Sequence, residues 1–340
     1  MARFYSALGG NREFRADSNV PRGTLMSCFY SALSTVPSIV PRGTFALKPH
    51  FDRFFRCLHY IIVMNQSKQS HNPVALITGA SSGIGAAAAA VFAAAGFHVV
   101  LAARRLSRLT ELVAELAPKF PNCRIVAIEC DVCSDASVAQ LFQRIDAEFG
   151  YLSVLVNNAG YGVYGSVEET SVAAFQQNMD TNYLGCIRCT QGALPLLRKC
   201  VAKTTDRWAA AIVMVSSIVG RRSMPRLSSY SATKFALEAL SESLRIELWD
   251  ERISVSVVNP GVTRTEFGDS AKGNRPSGFL SFEHGMSSED VAKVILKSAR
   301  RGGRNRYLTA AGKAGVFLEW FAPSLLDLVL LRTWRKAKSP

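Results

Sequence analysis

Tyr230 and Lys234 stand four residues apart in Tyr230-Ser231-Ala232-Thr233-Lys234. Four residues is about one turn of helix, so a phenol and an ammonium share one face. A free tyrosine hydroxyl titrates near about 10. A cation within a few ångströms favours the phenolate and draws that value towards working pH, where a general acid/base is most effective. The bland alternative is a Tyr–Lys pair on a solvated helix face, and the spacing alone does not decide between them. Ser217, thirteen residues upstream at the end of an apolar run, adds a hydroxyl able to donate to the same oxygen, and the trio is more than a chance pair.

A second group of residues is suited to phosphate. Thr78-Gly79-Ala80-Ser81-Ser82-Gly83-Ile84-Gly85 closes an apolar run and opens an Ala-rich one. Glycines at Gly79, Gly83 and Gly85 let the backbone approach a pyrophosphate, and the following helix N-terminus offers unpaired N–H groups and a positive dipole end. A flexible glycine-rich turn is the alternative; placement between a strand and a helix favours binding by Gly79, Ser81, Ser82, Gly83, Ile84 and Gly85. The next apolar run ends Ala102-Ala103-Arg104-Arg105. A cofactor with a free ribose 2′-hydroxyl is normally met near there by a carboxylate. Two arginines stand in its place, and a guanidinium fork suits a 2′-phosphate, which favours NADP(H) over NAD(H). Read plainly, Arg104 and Arg105 only begin the next helix, and Ser82 adds no second basic group.

These residues need a scaffold, and the hydrophobic pattern supplies one. Short β-branched runs at 74–78, 98–103, 124–130, 152–160, 210–217 and 253–261 predict six strands. They alternate with predicted helices over 86–95, 106–116, 135–149, 171–198 and 228–249. Strands buried on both faces read as continuous apolar runs, and strict strand–helix alternation predicts a parallel sheet covered on both sides. The fold class is α/β: a Rossmann-type doubly wound parallel sheet in a single domain, with a C-terminal helical extension.

Composition narrows the function classes. The chain has 340 residues, 48% hydrophobic and 19% charged, which excludes wholesale disorder and leaves ample core. The net charge of +14 is uneven: residues 1–63 carry eight Lys/Arg against three Asp/Glu, residues 291–340 eleven against two, and the middle is neutral. A nucleic-acid-binding domain would carry its charge on the folded body, so no nucleic-acid partner is expected. No apolar run reaches the roughly 18–20 residues of a spanning helix. Of eight cysteines, the pairs Cys130/Cys133 and Cys186/Cys189 have CxxC spacing, but one flanks a strand end and the other falls within a helix. No metal site is expected; reduced, mostly buried thiols in a cytoplasmic protein are. Residues 1–70 are unlike the rest. FYSAL and VPRGT each occur twice at unequal spacing, and no periodicity emerges. A transit peptide is one reading; Glu13, Asp17 and Asp52 favour instead a start at Met64 with a mis-assigned extension upstream, carrying little packed structure.

Together the motifs identify residues 72–290 as similar to the short-chain dehydrogenase/reductase (SDR) family. The resemblance implies that Thr78 to Gly85 bind the cofactor and that Asp131 meets the adenine. Asn158-Ala159-Gly160 would line the cofactor and steady the sheet. Asn182 would hold a water in a proton relay through its backbone. Ser217, Tyr230 and Lys234 match the family's catalytic trio, with Tyr230 and Lys234 also touching the cofactor. Pro260-Gly261-Val262-Thr263 would sit beside the nicotinamide, with Thr263 and Thr265 reaching its carboxamide or the phosphates. The implied reaction is reversible hydride transfer between nicotinamide and a carbonyl carbon. Tyr230 gives the proton, Ser217 supports the alkoxide, Lys234 holds the ribose and keeps the tyrosine pKa low, and Asn182 completes a water path.

The substrate should be met by Gly162–Glu168 and by 264–290. There Phe267, Phe279, Leu280, Phe282 and Met286 are candidates for an apolar pocket and Arg264 for an anionic group; an ordinary surface loop is the alternative. Residues 291–340 form the basic, apolar extension, with Val316, Phe317, Trp320, Phe321, Leu325, Leu326, Leu328, Val329 and Leu330 ahead of Arg332, Arg335, Lys336 and Lys338. That pattern suits peripheral contact with an anionic membrane, but Pro323 and Asp327 interrupt the apolar face and favour packing on the body or on a second subunit. Three functions stay open. The first is an NADP(H)-dependent oxidoreductase for an apolar ketone or secondary alcohol, lipid- or steroid-like. The second is a 3-oxoacyl-thioester reductase receiving an acyl carrier protein, against which the neutral body argues. The third is a non-enzymatic binding protein on the same fold, against which the intact catalytic set argues. The resemblance also implies a homodimer or homotetramer through the helices near 171–198 and 228–249.

Overall fold

Alternate residues of each strand feed opposite cores. Val74 and Leu76 point to one side of the first strand, β1 (Val74–Thr78), while Ala75 and Ile77 point to the other. The same division holds along β2 (His98–Ala103), β5 (Ala210–Val215) and β6 (Ile253–Asn259), as a period of two demands of a strand buried on both faces. With β3 (Ile125–Glu129), β4 (Val154–Asn157) and β7 (Asn305–Tyr307) they form one sheet in the order β3-β2-β1-β4-β5-β6-β7. Every adjacent pair is parallel. This computed structural model describes residues 72–204, 206, 208–271, 273 and 285–338. The expectations for residues 1–70, and for Phe279, Leu280 and Phe282, lie outside them.

One face of the sheet is covered by α3 (Asp135–Phe149), α5 (Gly185–Val201) and α6 (Ser228–Glu247), the other by α1 (Gly83–Ala94), α2 (Leu106–Leu116) and α8 (Ser288–Arg301). Helix α1 packs on α8 and buries Ala88, Ala89, Phe92 and Ala93, and the Phe92 ring meets Phe97 edge-on at 5.0 Å. Helix α3 has strong end signals: Ser134 Oγ accepts from the Ser137 N–H, and Gly150 takes the left-handed conformation at φ 74°.

Three expectations need correction. The first helix starts at Gly83, not Ala86, because Gly83-Ile84-Gly85 forms its opening turn despite poor helix propensity. The helix expected over 171–198 is two, α4 (Val172–Met179) and α5, joined by a widened π-helical turn, Asp180–Leu184. Strand β7 was not expected; three residues, Asn-Arg-Tyr, are too short and polar to show an alternation, and it sits at the sheet edge. Residue 290 lies inside α8, whose Val291, Ala292, Ile295 and Ala299 are buried core.

The C-terminal extension is α9 (Ala310–Phe321) and α10 (Pro323–Lys338), separated by Ala322 alone. No helix among the described residues is long and apolar enough to cross a membrane. Cys130, Cys186, Cys189 and Cys200 are free and buried.

Candidate active site

Strand register brings the chemistry to one edge. Thr78 pairs with Ala102, Asn157 with Met214, Val215 with Val258 and Asn259 with Tyr307, so the strands end level at their carboxyl termini. Chain order reverses between β1 and β4, which opens a crevice outside those ends.

Thr78 and Asn158 hold the floor of that crevice. Thr78 Oγ1 accepts from the backbone N–H groups of Asn158 at 3.0 Å and Ala159 at 3.1 Å. Asn158 Nδ2 returns bonds to the carbonyls of Thr78 at 2.9 Å and Gly79 at 3.2 Å. The glycine turn is thereby fixed in a shape other residues could not take. Gly79 has φ +66°, and a Cβ on Gly85 would lie 2.3 Å from the Gly79 carbonyl oxygen. A Cβ on Gly160 would lie 2.9 Å from Asn182 Oδ1. Ser82 caps α1 through its backbone only, with no side-chain bond to the first N–H groups. A glycine cradle opening a helix with uncapped N–H groups fits a dinucleotide pyrophosphate. Gly79, Ser81, Ser82, Gly83, Ile84 and Gly85 would hold it.

At the neighbouring strand end, Arg105 donates to Ser81 Oγ at 3.1 Å and Ser82 Oγ at 3.0 Å, while a carboxylate, Glu266, stands 3.4 Å from the same guanidinium. Arg104 is exposed beside it. Glu266 competes for the arginine that a 2′-phosphate would need. Glu266→Gln is therefore expected to raise the NADPH-over-NADH affinity ratio by up to about fivefold, the scale of a half-exposed ion pair. Paired titrations of the variant and parent check this. Asp131, beyond β3, turns Oδ1 to the Cys133 N–H at 3.0 Å.

Ser217 starts a short 3₁₀ turn, Ile218–Gly220, with Oγ accepting from the Val219 N–H at 3.3 Å, and its side chain faces the Tyr230 hydroxyl closely enough to influence its proton. Tyr230 is buried and its ring meets Phe267 at 5.3 Å. One turn on, Lys234 Nζ donates to the Val215 carbonyl at 2.8 Å. The expectation that Lys234 lowers the tyrosine pKa is corrected here. Burial is the larger cause and pushes the phenol well above its ordinary value, Ser217 drawing it partly back. The ammonium gives one N–H to a strand carbonyl and lies 5.5 Å from the phenol ring centroid. Burial also pushes Lys234 itself down to about 8.

That value has a pH consequence. Below about 8 Lys234 is charged and can hold hydroxyl and phosphate-bearing groups; above it the charge is lost. Cofactor affinity is expected to fall as pH rises through that region, and an unchanged affinity well above it would refute the assignment. The stability sign is opposite. An unfolded lysine stays protonated to about 10.4, so between the two values the unfolded chain binds more protons and stability rises with pH.

Asn182 occupies the widened turn. Its Oδ1 accepts from the Tyr161 N–H at 3.0 Å, and its Nδ2 donates to the Tyr161 carbonyl at 3.0 Å and Thr233 Oγ1 at 3.1 Å. The side chain thus ties the loop after β4 to α6, beside the Tyr230–Lys234 face. After β6, Thr263 Oγ1 bonds back to the Gly261 carbonyl, and the Thr265 side chain packs 3.1 Å from where Gly83 would carry a Cβ.

These elements enclose a cleft of about 510 Å³. Its lining joins Gly79, Ser82, Gly83, Ile84, Asn158, Gly160 and Pro260-Gly261-Val262-Thr263 with Ser217, Tyr230 and Lys234, and includes Thr265. Arg104, Arg105, Ser81, Gly85, Asp131, Ala159 and Asn182 lie outside the lining. Of the expected substrate residues, Tyr164 and Phe267 line it; Met286 packs in the core and Arg264 is exposed.

Sequence reasoning missed the opposite wall. Ala311, Gly312, Gly315 and Val316 of α9, and Leu326 and Leu330 of α10, close the cleft. The small residues recur at helical spacing, which was the available signal. Arg222 holds these helices down, donating to Glu319 at 2.7 Å and to Asp327. The two acids that interrupt the apolar C-terminal run are its anchors.

The chain matches the family model described as short chain dehydrogenase over residues 73–275. It is 33% identical over 272 residues to dehydrogenase/reductase SDR family member 7B of Danio rerio, covering 77% of this chain and 86% of that protein. It is 35% identical over 229 residues to the farnesol dehydrogenase of Aedes aegypti, covering 66% and 88%. An alcohol dehydrogenase from the archaeon Thermococcus sibiricus, solved with 5-hydroxy-NADP, superposes with a TM-score of 0.60 at 28% identity, covering 70% of this chain and 95% of that one. The chain belongs to the short-chain dehydrogenase/reductase family. It is an oxidoreductase acting on alcohol or carbonyl groups.

Proposed function

We propose that this protein is an NADP(H)-dependent oxidoreductase for an apolar, lipid-like ketone or secondary alcohol. The carrying observation is that Ser217, Tyr230 and Lys234 are brought together in a cleft whose substrate-side wall is mainly apolar: Val219, Met224, Leu227, Phe267, Val316, Leu326 and Leu330, with Tyr164 and the ion-paired Arg222 as its polar members. A polar trio in an apolar cavity orients one oxygen and leaves the rest of a ligand to hydrophobic burial. The farnesol dehydrogenase relative, by its name, acts on an apolar alcohol, which supports the same class.

A bound nicotinamide dinucleotide supplies or accepts the hydride. The remaining work falls to this chain. Tyr230 holds a proton that burial keeps on the phenol, which suits donation to a carbonyl oxygen in the reductive direction. Ser217 donates a second hydrogen bond to that oxygen, where charge develops. Lys234 and the Val215 carbonyl fix the helix face beneath Tyr230. Arg105, with Ser81 and Ser82, supports the NADP(H) preference, and the two residues directly after β2 are arginines rather than a carboxylate.

Cytoplasmic placement and homodimer or homotetramer assembly belong to this reading; the exposed Ile246 and Trp249 at the end of α6 support the second. The test is turnover with NADPH across ketones of increasing chain length. Rising kcat/KM with apolar length is expected, and activity confined to small polar carbonyls would oppose it.

A further inference from the structure

The C-terminal helices turn one side to the cleft and the other to solvent, and the solvent side is the more hydrophobic in large residues. Phe317, Trp320 and Phe321 of α9 are 66%, 78% and 73% exposed, and Leu325 and Leu328 of α10 are 52% and 54% exposed. Phe317 and Phe321 stack at 4.6 Å between ring centroids, one turn apart, so the outward face of α9 is aromatic along its last turn. Soluble surfaces seldom gather such side chains into one patch without an occupant.

The charges around the patch say which occupant. Lys313 precedes it on α9, and Arg332 and Arg335 follow it on α10, all three exposed. Residues 291–340 contain only two acids, Glu319 and Asp327, and both are paired with Arg222. Lys313 and Arg332 therefore have no acidic partner among the described residues of this extension. An apolar, aromatic strip bracketed by cations is complementary to a surface that is apolar within and anionic at its face. Neither helix is long and apolar enough to cross a membrane, so they would lie in the interface rather than span it.

We infer that α9 and α10 dock this protein onto an anionic lipid bilayer, with Phe317, Trp320, Phe321, Leu325 and Leu328 immersed at the headgroup boundary. The same two helices form a wall of the active-site cleft through Val316, Leu326 and Leu330. Docking there sets the cleft beside the membrane face. The Arg222 pairs with Glu319 and Asp327 fix the orientation, because they clamp the inward side of both helices to the loop that carries Ser217.

The experiment is sedimentation of the full chain with vesicles of phosphatidylcholine, alone or mixed with phosphatidylserine. Binding to the mixed vesicles, weakened by high salt, is expected. Trp320→Ser with Phe321→Ser should weaken it by at least about tenfold, and turnover of a water-soluble substrate should persist, since neither residue lines the cleft. Brominated lipid should quench Trp emission in the parent and quench it less in Trp320→Phe, which keeps the apolar surface. Three results would overturn the inference: no sedimentation with anionic vesicles; equal sedimentation of the double variant, which would place binding elsewhere on the chain; or no lipid binding with a fall in oligomer mass in the variant, which would make the patch a contact between copies.

Discussion

Tyr230→Phe will remove turnover, by about 10²- to 10⁴-fold in kcat, the range a positioned acid/base contributes, and will leave cofactor affinity nearly unchanged. The substitution deletes one oxygen. The ring contact with Phe267 and the burial in the cleft remain, so the fold has little reason to move. Because the phenol is held protonated by burial, the proton it gives to a carbonyl oxygen has no ready substitute among the cleft-lining side chains: Lys234 sits one helical turn beyond the phenol with an N–H on the Val215 carbonyl, and Ser217 is a poorer acid. Single-turnover kinetics beside a cofactor titration checks both halves. Persisting turnover would move the acid elsewhere, and lost cofactor binding would mean the change is structural.

Gly85→Ala is expected to do the reverse, removing cofactor binding first. The added Cβ would lie 2.3 Å from the Gly79 carbonyl oxygen, 2.7 Å from Asn158 Nδ2 and 2.9 Å from the Ala80 Cα. Two of those three are backbone and cannot swing aside. The glycine turn must shift, and with it the Asn158 bonds that join β1 to β4. Overpacking of this kind costs about 1–3 kcal/mol, which corresponds to roughly 5- to 140-fold in affinity if it is borne by the turn. Thermal unfolding measured beside the titration separates a displaced loop from a lost fold. Unchanged affinity would show that the turn does not form the cradle.

Most of the sheet was legible because its strands are buried on both faces. VALIT and HVVLAA end where the β-branched and apolar runs end, and their neighbours pair in register. Helix α3 was equally clear, since Ser134 and Gly150 mark both ends. The motifs also placed Ser217, Tyr230 and Lys234 together, because their spacing is local to one helix and one strand end. What failed to show depends on partners far away in sequence. Strand β7 exists through pairing with β6, not through its own residues. The widened turn at Asp180–Leu184 is held by Asn182 reaching Tyr161 and Thr233.

The cleft wall is the clearest case. Arg221 and Arg222 are adjacent and alike in sequence, yet Arg221 binds Glu238 and Glu242 on α6 while Arg222 binds Glu319 and Asp327 on the C-terminal helices. Nothing in the local pattern distinguishes them. The Tyr230 pKa failed for a related reason. Spacing shows that a cation is near, but not that its proton donors point to Val215 or how much water burial has removed.

The most direct test of the central claim is a fluorescence titration of the purified full chain with NADPH and NADH under one set of conditions. Tighter binding of NADPH, with the difference lost in Arg105→Ala, is the expected result and ties the preference to the guanidinium beside Ser81 and Ser82. Tighter binding of NADH would contradict the cofactor assignment and assign the arginine to Glu266 instead. Binding of neither would contradict the proposed oxidoreductase mechanism as a whole.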